Sequence, residues 1–235
     1  MAQAKGRRTP RLYYHLLRAL DAKKDLIERQ IKVSILRELN DPFEALSCAL
    51  PTPQDRKRFS AIRTLINERW GLLCFSAGWH NPLLWSHYGE RHKGICLGFS
   101  VPDNRLIEVQ YTKYREVLTP VLLARSDIHE LLLSRKYRDW AYEEEHRMLL
   151  PLRGLEKEGD LYFKPFGDDL KLREIIVGPM CEETDMGLRQ LAPASTEGIP
   201  IIKSRMAFNT FRVVRNRKGF QARDVRRRAE SLGIV

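Results

Sequence analysis

A chain of 235 residues is long enough to bury a full hydrophobic core, and one large domain is expected rather than two small ones. Apolar residues make up 43% and charged residues 30%, which excludes a fibrous or wholly disordered chain. The net charge of +11 points toward anionic partners; no apolar run approaches the roughly 18 residues of a membrane span, and none follows the basic start to make a secretory signal.

Residues 11–17 are predicted as a first strand, 21–30 as a helix and 31–36 as a short strand or helix end. Asn40-Asp41-Pro42-Phe43 is a turn signal: proline forces extended backbone on the residue before it, and Asn and Asp bond their own main chain. The turn is structural on its face, with a role at a cleft left open. An amphipathic helix is predicted over 54–70, with Phe59, Ile62, Leu65, Ile66 and Trp70 on one face. Leu72–Phe75 is a compact apolar strand. Asn81 then offers an N-cap oxygen, with Pro82 at the first helical position, and Gly94 marks the exit before a strand over 95–99. Further along, 106–111 is predicted as a strand and 118–139 as mostly helical. Strands are predicted over 146–152, 161–166 and 174–177, a helix over 182–191, and last strands over 199–204 and 211–214. Strands come in runs without a regular βαβ alternation, so the expected class is α+β, with a mixed, mainly antiparallel sheet and flanking helices.

The charge excess belongs to two ends. Lys5, Arg7, Arg8 and Arg11 stand without an acid in 1–11, and eight basic residues face only Asp224 in 212–228. The predicted organisation is therefore a basic tail over 1–11, one α+β domain over 12–214 and a basic segment over 215–235, in which 221–232 has the pattern of a short helix. Arg7, Arg8, Arg215, Arg217, Lys218, Arg226, Arg227 and Arg228 suit a nucleic-acid backbone, which basic tails attract by counterion release without reading sequence. A solubilising tail is the plainer alternative. Cys48, Cys74, Cys96 and Cys181 lie far apart with no C-x-x-C pair, which suits a reducing, cytoplasmic setting.

Two segments carry chemistry. The helix Asn81–Tyr88 is dense in Trp, His and Tyr, and Trp85 and Tyr88 fit either a core stripe or the wall of a pocket. Its His87, Glu90 and His92 make a poor chelating set, because positions five apart point about 140° away from each other on a helix, so no metal is expected there. The second segment is Trp140–Arg147, WAYEEEHR. If a strand begins by Glu143, then Glu143 and Glu145 share a face, resist simultaneous ionisation and suit acid/base work; on a helix they lie about 200° apart around the axis. Surface pairing with Arg135, Lys136, Arg138 or Arg147 is the plain alternative.

The order of Leu12–Tyr14, Asn40–Glu44, Cys74–Ser76, Asn81–Phe99, then Lys136, Trp140, Glu143, Glu145 and Arg147, with Leu172–Pro179 after them, resembles the bacterial family called domain of unknown function 2971. That likeness covers most of residues 11–214 and implies a fold, not a reaction. A more distant similarity is to ADP-ribosyltransferases: an early strand bearing Tyr/His, a central aromatic helix and a late E-x-E. It implies a split sheet and NAD as substrate, bound without a G-x-G-x-x-G fingerprint, which this chain lacks. On that resemblance, Tyr14 or His15 anchors the nicotinamide or its ribose, and Tyr88, with Trp85 nearby, stacks on the ring. Glu145 then bonds the ribose and stabilises the oxocarbenium, while Glu143 orients an acceptor, whether protein or nucleic acid. The chain departs from that architecture in lacking Ser-Thr-Ser at the central strand. The implied activity is an ADP-ribosyltransferase or NAD glycohydrolase of phage-defence or toxin type. The alternatives are a non-enzymatic nucleic-acid or partner-binding protein of the same fold and, more weakly, a metal-dependent nuclease using Glu143 and Glu145.

Overall fold

The computed structural model describes residues 11–44, 47–117 and 119–220. Strand β1 (Leu12–Leu17) leads through helix α1 (Ala19–Glu28) into β2 (Gln30–Ile35). After the 40–44 turn come the two-residue β3 (Cys48–Ala49) and α2 (Pro53–Arg69), which a Thr52/Asp55 capping box starts with Pro53 at its first position. Strand β4 (Trp70–Ser76), α3 (Pro82–His87) and β5 (Ile95–Ser100) follow, and the Asn81 side chain caps α3 by accepting from the Leu83 N–H. The strand–helix–strand reading of this stretch therefore matches the structure.

Between 101 and 139 the chain is irregular. It holds β6 (Ile107–Glu108), β7 (Gln110–Thr112), β8 (Glu116–Val117), the short helices α4 (Pro120–Leu123) and α5 (Ile128–Leu133), and β9 (Arg135–Tyr137). The long helix expected over 118–139 is thus two single-turn pieces and a strand. Arg125 and Asp127 pair with each other between the helices, and β9 lies parallel to β7 in a small sheet of its own. Tertiary pairing wins over local propensity here.

A 3-10 turn over Arg138–Glu143 then delivers β10 (Glu145–Pro151), followed by β11 (Glu156–Glu158), β12 (Leu161–Pro165) and β13 (Lys171–Val177). Helices α6 (Asp185–Leu191) and α7 (Pro193–Thr196) cross over to β14 (Ile201–Met206), which runs parallel to β13, and β15 (Val213–Arg215) closes the described chain. Among the described residues eleven strands form one mixed sheet, and every pairing in it except β13–β14 is antiparallel. The α+β class is the observed one.

The sheet branches at β4. One edge of β4 pairs with β10 along its whole length. The other edge is shared: β1 takes Ser76 at one end, and β2 takes Gly71 and Leu72 at the other. Leu73–Phe75 in between have no strand partner on that edge, so β1 and β2 splay apart and a cleft opens over them. Three apolar clusters hold the layers. One lies under α1 and α6, centred on Leu26, Phe75 and Phe99; a second under α3 buries Trp85; a third seats α2 and α5 through Phe59, Ile66 and Leu132. Leu65, placed on the apolar face from sequence, is 45% exposed. No helix of the described residues is long and apolar enough to cross a membrane.

Candidate active site

The cleft at the branch contains a cavity of about 260 Å³. Tyr14 and His15 of β1 line it, with Cys74–Ser76 of β4, Asn40 and Glu44 of the 40–44 turn, Tyr88, Lys136, Glu143 and Glu145. Four segments far apart in sequence therefore meet at one place.

Each side chain is held by a local device. Gly98 of β5 faces Tyr14; a Cβ there would come within 3.1 Å of the ring, so glycine makes the space in which Tyr14 lies and donates to Glu174 at 2.9 Å. The Nδ1–H of His15 donates to the Cys74 carbonyl at 2.7 Å, satisfying one of the main-chain groups that the split leaves without a strand. Burial pushes the His15 imidazole below its usual range, a shift the Cys74 carbonyl only partly opposes, so the ring is neutral. In the 40–44 turn the Asp41 carboxylate accepts from the Phe43 N–H at 2.9 Å, and the Glu44 N–H returns to the Asp41 carbonyl at 3.0 Å. That tight turn aims Glu44 inward, where it is buried.

Glu143 and Glu145 converge, but not by strand alternation. Glu143 ends the 3-10 turn, β10 begins only at Glu145, and Glu144 between them sits in left-handed backbone at φ 46°. This hinge swings Glu144 out to solvent and brings both flanking carboxylates to the Lys136 ammonium, 2.6 Å from Glu143 and 3.3 Å from Glu145. The plain expectation of a solvated surface pairing is thereby corrected: the partners are indeed Lys136 and Arg147, but the network is buried.

Arg147 anchors the network. It is 1% exposed and makes bidentate pairs with Glu44 (2.9 and 3.0 Å) and with Glu145 (2.8 and 2.9 Å), while Nη1 also donates to the Leu133 carbonyl. Burial by itself would raise the Glu145 carboxyl; the Arg147 guanidinium and the Lys136 ammonium reverse that and hold it at about 2. Glu143 goes the other way. Burial raises it above the ordinary carboxylate range, although Lys136 and the Tyr88 hydroxyl, which donates to it at 2.5 Å, pull against that. Asn40 in turn donates to the Tyr88 hydroxyl at 3.0 Å. Burial works against the Lys136 charge, yet Glu145, Glu44 and Glu143 together hold it protonated. The cluster has three carboxylates against two cations, one negative charge in excess.

Of the residues proposed from sequence, Tyr14, His15, Tyr88, Glu143 and Glu145 meet in this cavity. Trp85 does not line it: fully buried, its indole N–H donates to the Trp79 carbonyl at 2.7 Å, so it is a core residue beneath α3. Glu44, Lys136 and Arg147 complete the site without having been given roles from sequence. His87 stacks near Trp140 and Tyr142, and His92 faces Ser86 at 3.2 Å. The Lys136 ammonium occupies the position between Glu143 and Glu145 that a bridging divalent cation would need. Arg215, Arg217 and Lys218 are exposed at the end of the described chain; Arg7, Arg8, Arg226, Arg227 and Arg228 lie outside the described residues, as does the helix expected over 221–232.

No family model, curated protein or solved structure matches the chain. The class that the fold and site themselves define is an α+β protein with a carboxylate-rich cavity at the branch of its sheet.

Proposed function

We propose that the chain is an NAD-consuming enzyme, an ADP-ribosyltransferase or NAD glycohydrolase, that takes the nicotinamide riboside end of NAD into the split-sheet cavity. The observation that supports this reading is the meeting of Tyr14, His15, Tyr88, Glu143 and Glu145 around one volume of about 260 Å³. That volume suits a pyridine ring and its ribose, with the adenylate half lying across the open mouth. The excess carboxylate of the cluster complements the positive charge of the nicotinamide ring. As the C–N glycosidic bond breaks, its electron pair leaves with nicotinamide and the ribose gains oxocarbenium character, which nearby carboxylates stabilise.

The two glutamates divide the work. Glu145, locked by Arg147, is a fixed negative charge. Glu143, with its raised carboxyl and its contact to Tyr88, accepts the proton of the attacking water or acceptor hydroxyl. The family resemblance supports the same residues. One observation favours a binding protein of the same fold: both Glu145 oxygens are already engaged by Arg147 and Lys136.

The test is nicotinamide release from NAD, with and without added RNA, DNA or protein acceptor. Glu143→Gln is expected to lower release by about 100-fold or more with an unchanged melting temperature, since general-base loss typically costs 10²–10⁴. Absence of release together with a shift of Tm by NAD assigns the cavity to binding alone; absence of both refutes the NAD reading.

A further inference from the structure

A second cavity, of about 300 Å³, is lined by Phe43 and Ser47 beside the 40–44 turn, by Lys113, Tyr114 and Arg115 between β7 and β8, and by Arg135 of β9. Lys136 lines it too, although its ammonium is committed to the carboxylates of the first cavity. Two features of these walls point to the same kind of ligand.

The first is charge. Arg135 pairs with Glu116 at 2.5 Å, but neither Lys113 nor Arg115 has an ion-pair partner among the described residues. The second is the rings. Tyr114 is 73% exposed and Phe43 58%, an unusual state for two aromatic side chains at one cavity. Each has a cation over its face: Lys113 Nζ lies 5.4 Å from the Tyr114 centroid and Arg115 Cζ 5.3 Å from that of Phe43.

A bare inorganic anion uses the cations and leaves the rings in water. An acidic peptide without aromatic residues likewise brings no flat surface to cover them. A phosphate attached to a planar base satisfies both, since bases stack on exposed aromatic faces while cations take the backbone. We propose that this cavity binds a nucleotide, either free or as one unit of a single strand, with its base on Tyr114 or Phe43 and its phosphate on Lys113 and Arg115. The site goes beyond the NAD reading of the first cavity and does not depend on it.

The probes are uridine monophosphate, which lacks the adenine and nicotinamide of NAD, and an oligouridylate of five units, titrated into the full chain by calorimetry up to millimolar concentration. Saturable binding of at least one probe is expected, weakened about tenfold by Tyr114→Ala and by Arg115→Gln. Both substitutions are at exposed positions, so the melting temperature is expected to hold. Binding of the monophosphate identifies a free nucleotide as sufficient; binding of the oligonucleotide alone, with the same loss in both variants, identifies a unit of a strand. No saturable binding of either probe overturns the proposal. So does oligonucleotide binding that neither variant changes, which assigns it to basic residues elsewhere in the chain.

Discussion

At the scale of single residues, the chain carries two kinds of buried charge, and they behave oppositely. Arg147 is compensated by Glu44 and Glu145, and removing it leaves those two buried carboxylates, with Glu143, to share the single ammonium of Lys136. Arg147→Met is therefore expected to destabilise by about 3–5 kcal/mol, a fall in Tm of about 6–20 °C by calorimetry, and Glu44→Gln in the same chain is expected to restore part of it. Asp25 in α1 is the contrary case. It is 4% exposed, its Oδ2 has no hydrogen-bond partner among the described residues, and burial, with Asp21 and Glu28 adding to it, pushes its carboxyl up to about 8. In the unfolded chain this carboxyl loses its proton near 3.8, whereas the folded chain keeps it until about 8. The folded state thus binds more protons between those values, and stability falls as pH rises through that window. Asp25→Asn, which needs no ionisation, is expected to raise Tm at pH 7 to 8, with the gain vanishing near pH 4. A gain of the same size at both pH values contradicts the burial argument.

At the scale of elements, the hinge at Glu144 decides whether the site exists. A non-glycine residue at φ 46° costs about 1 kcal/mol or more, and a β-branched side chain costs further. The expected order of Tm is therefore Glu144→Gly at or slightly above the parent and Glu144→Val below it by several degrees. The valine variant is also expected to lose the low-lying Glu145 ionisation that the converged cluster maintains, read by carboxyl NMR titration. That hinge was not legible in the sequence, because Glu-Glu-Glu before an apolar run says nothing of a left-handed residue. The start of α3 was legible, because Asn81 and Pro82 act through local hydrogen bonding and a fixed φ. So were the long strands, whose apolar runs bury wherever they pair. Residues 118–139 were misread as helix, because the Leu122, Leu132 and Leu133 spacing serves a core contributed by α2 as much as any helix axis. The turn that ends at Glu44 had an open role at a cleft in the sequence, but the partner of Glu44 was not legible: it meets Arg147 across 103 positions, and only the assembled sheet brings them together.

At the scale of the whole molecule, the branch at β4 makes ligand binding and sheet integrity one equilibrium. Leu73–Phe75 lack a strand on the cleft edge, and among the described residues His15 supplies the side-chain bond that spans it, to the Cys74 carbonyl. Opening β1 from β2 therefore breaks few hydrogen bonds, whereas opening β5 from β13 breaks a six-pair ladder interrupted once, by a register shift between Leu172 and Glu174. Local openings are expected to start at the branch. A ligand that contacts Tyr14 of β1 on one side and Ser34 of β2 on the other ties the two arms, and it stabilises only the closed form. At a hundred times its Kd such a ligand adds about 2.7 kcal/mol, a rise in Tm of about 5–11 °C for a chain of this size. Native-state hydrogen exchange reads the location as well as the amount. Amides of β1, β2 and the Leu73–Phe75 edge that exchange through local opening of the branch are expected to slow on adding NAD, as are amides that exchange only by global unfolding, while those exposed by local openings of β13 and β14 keep their rates. Branch amides that exchange locally and do not slow would place the ligand elsewhere, because an occupant of the branch must hold it closed.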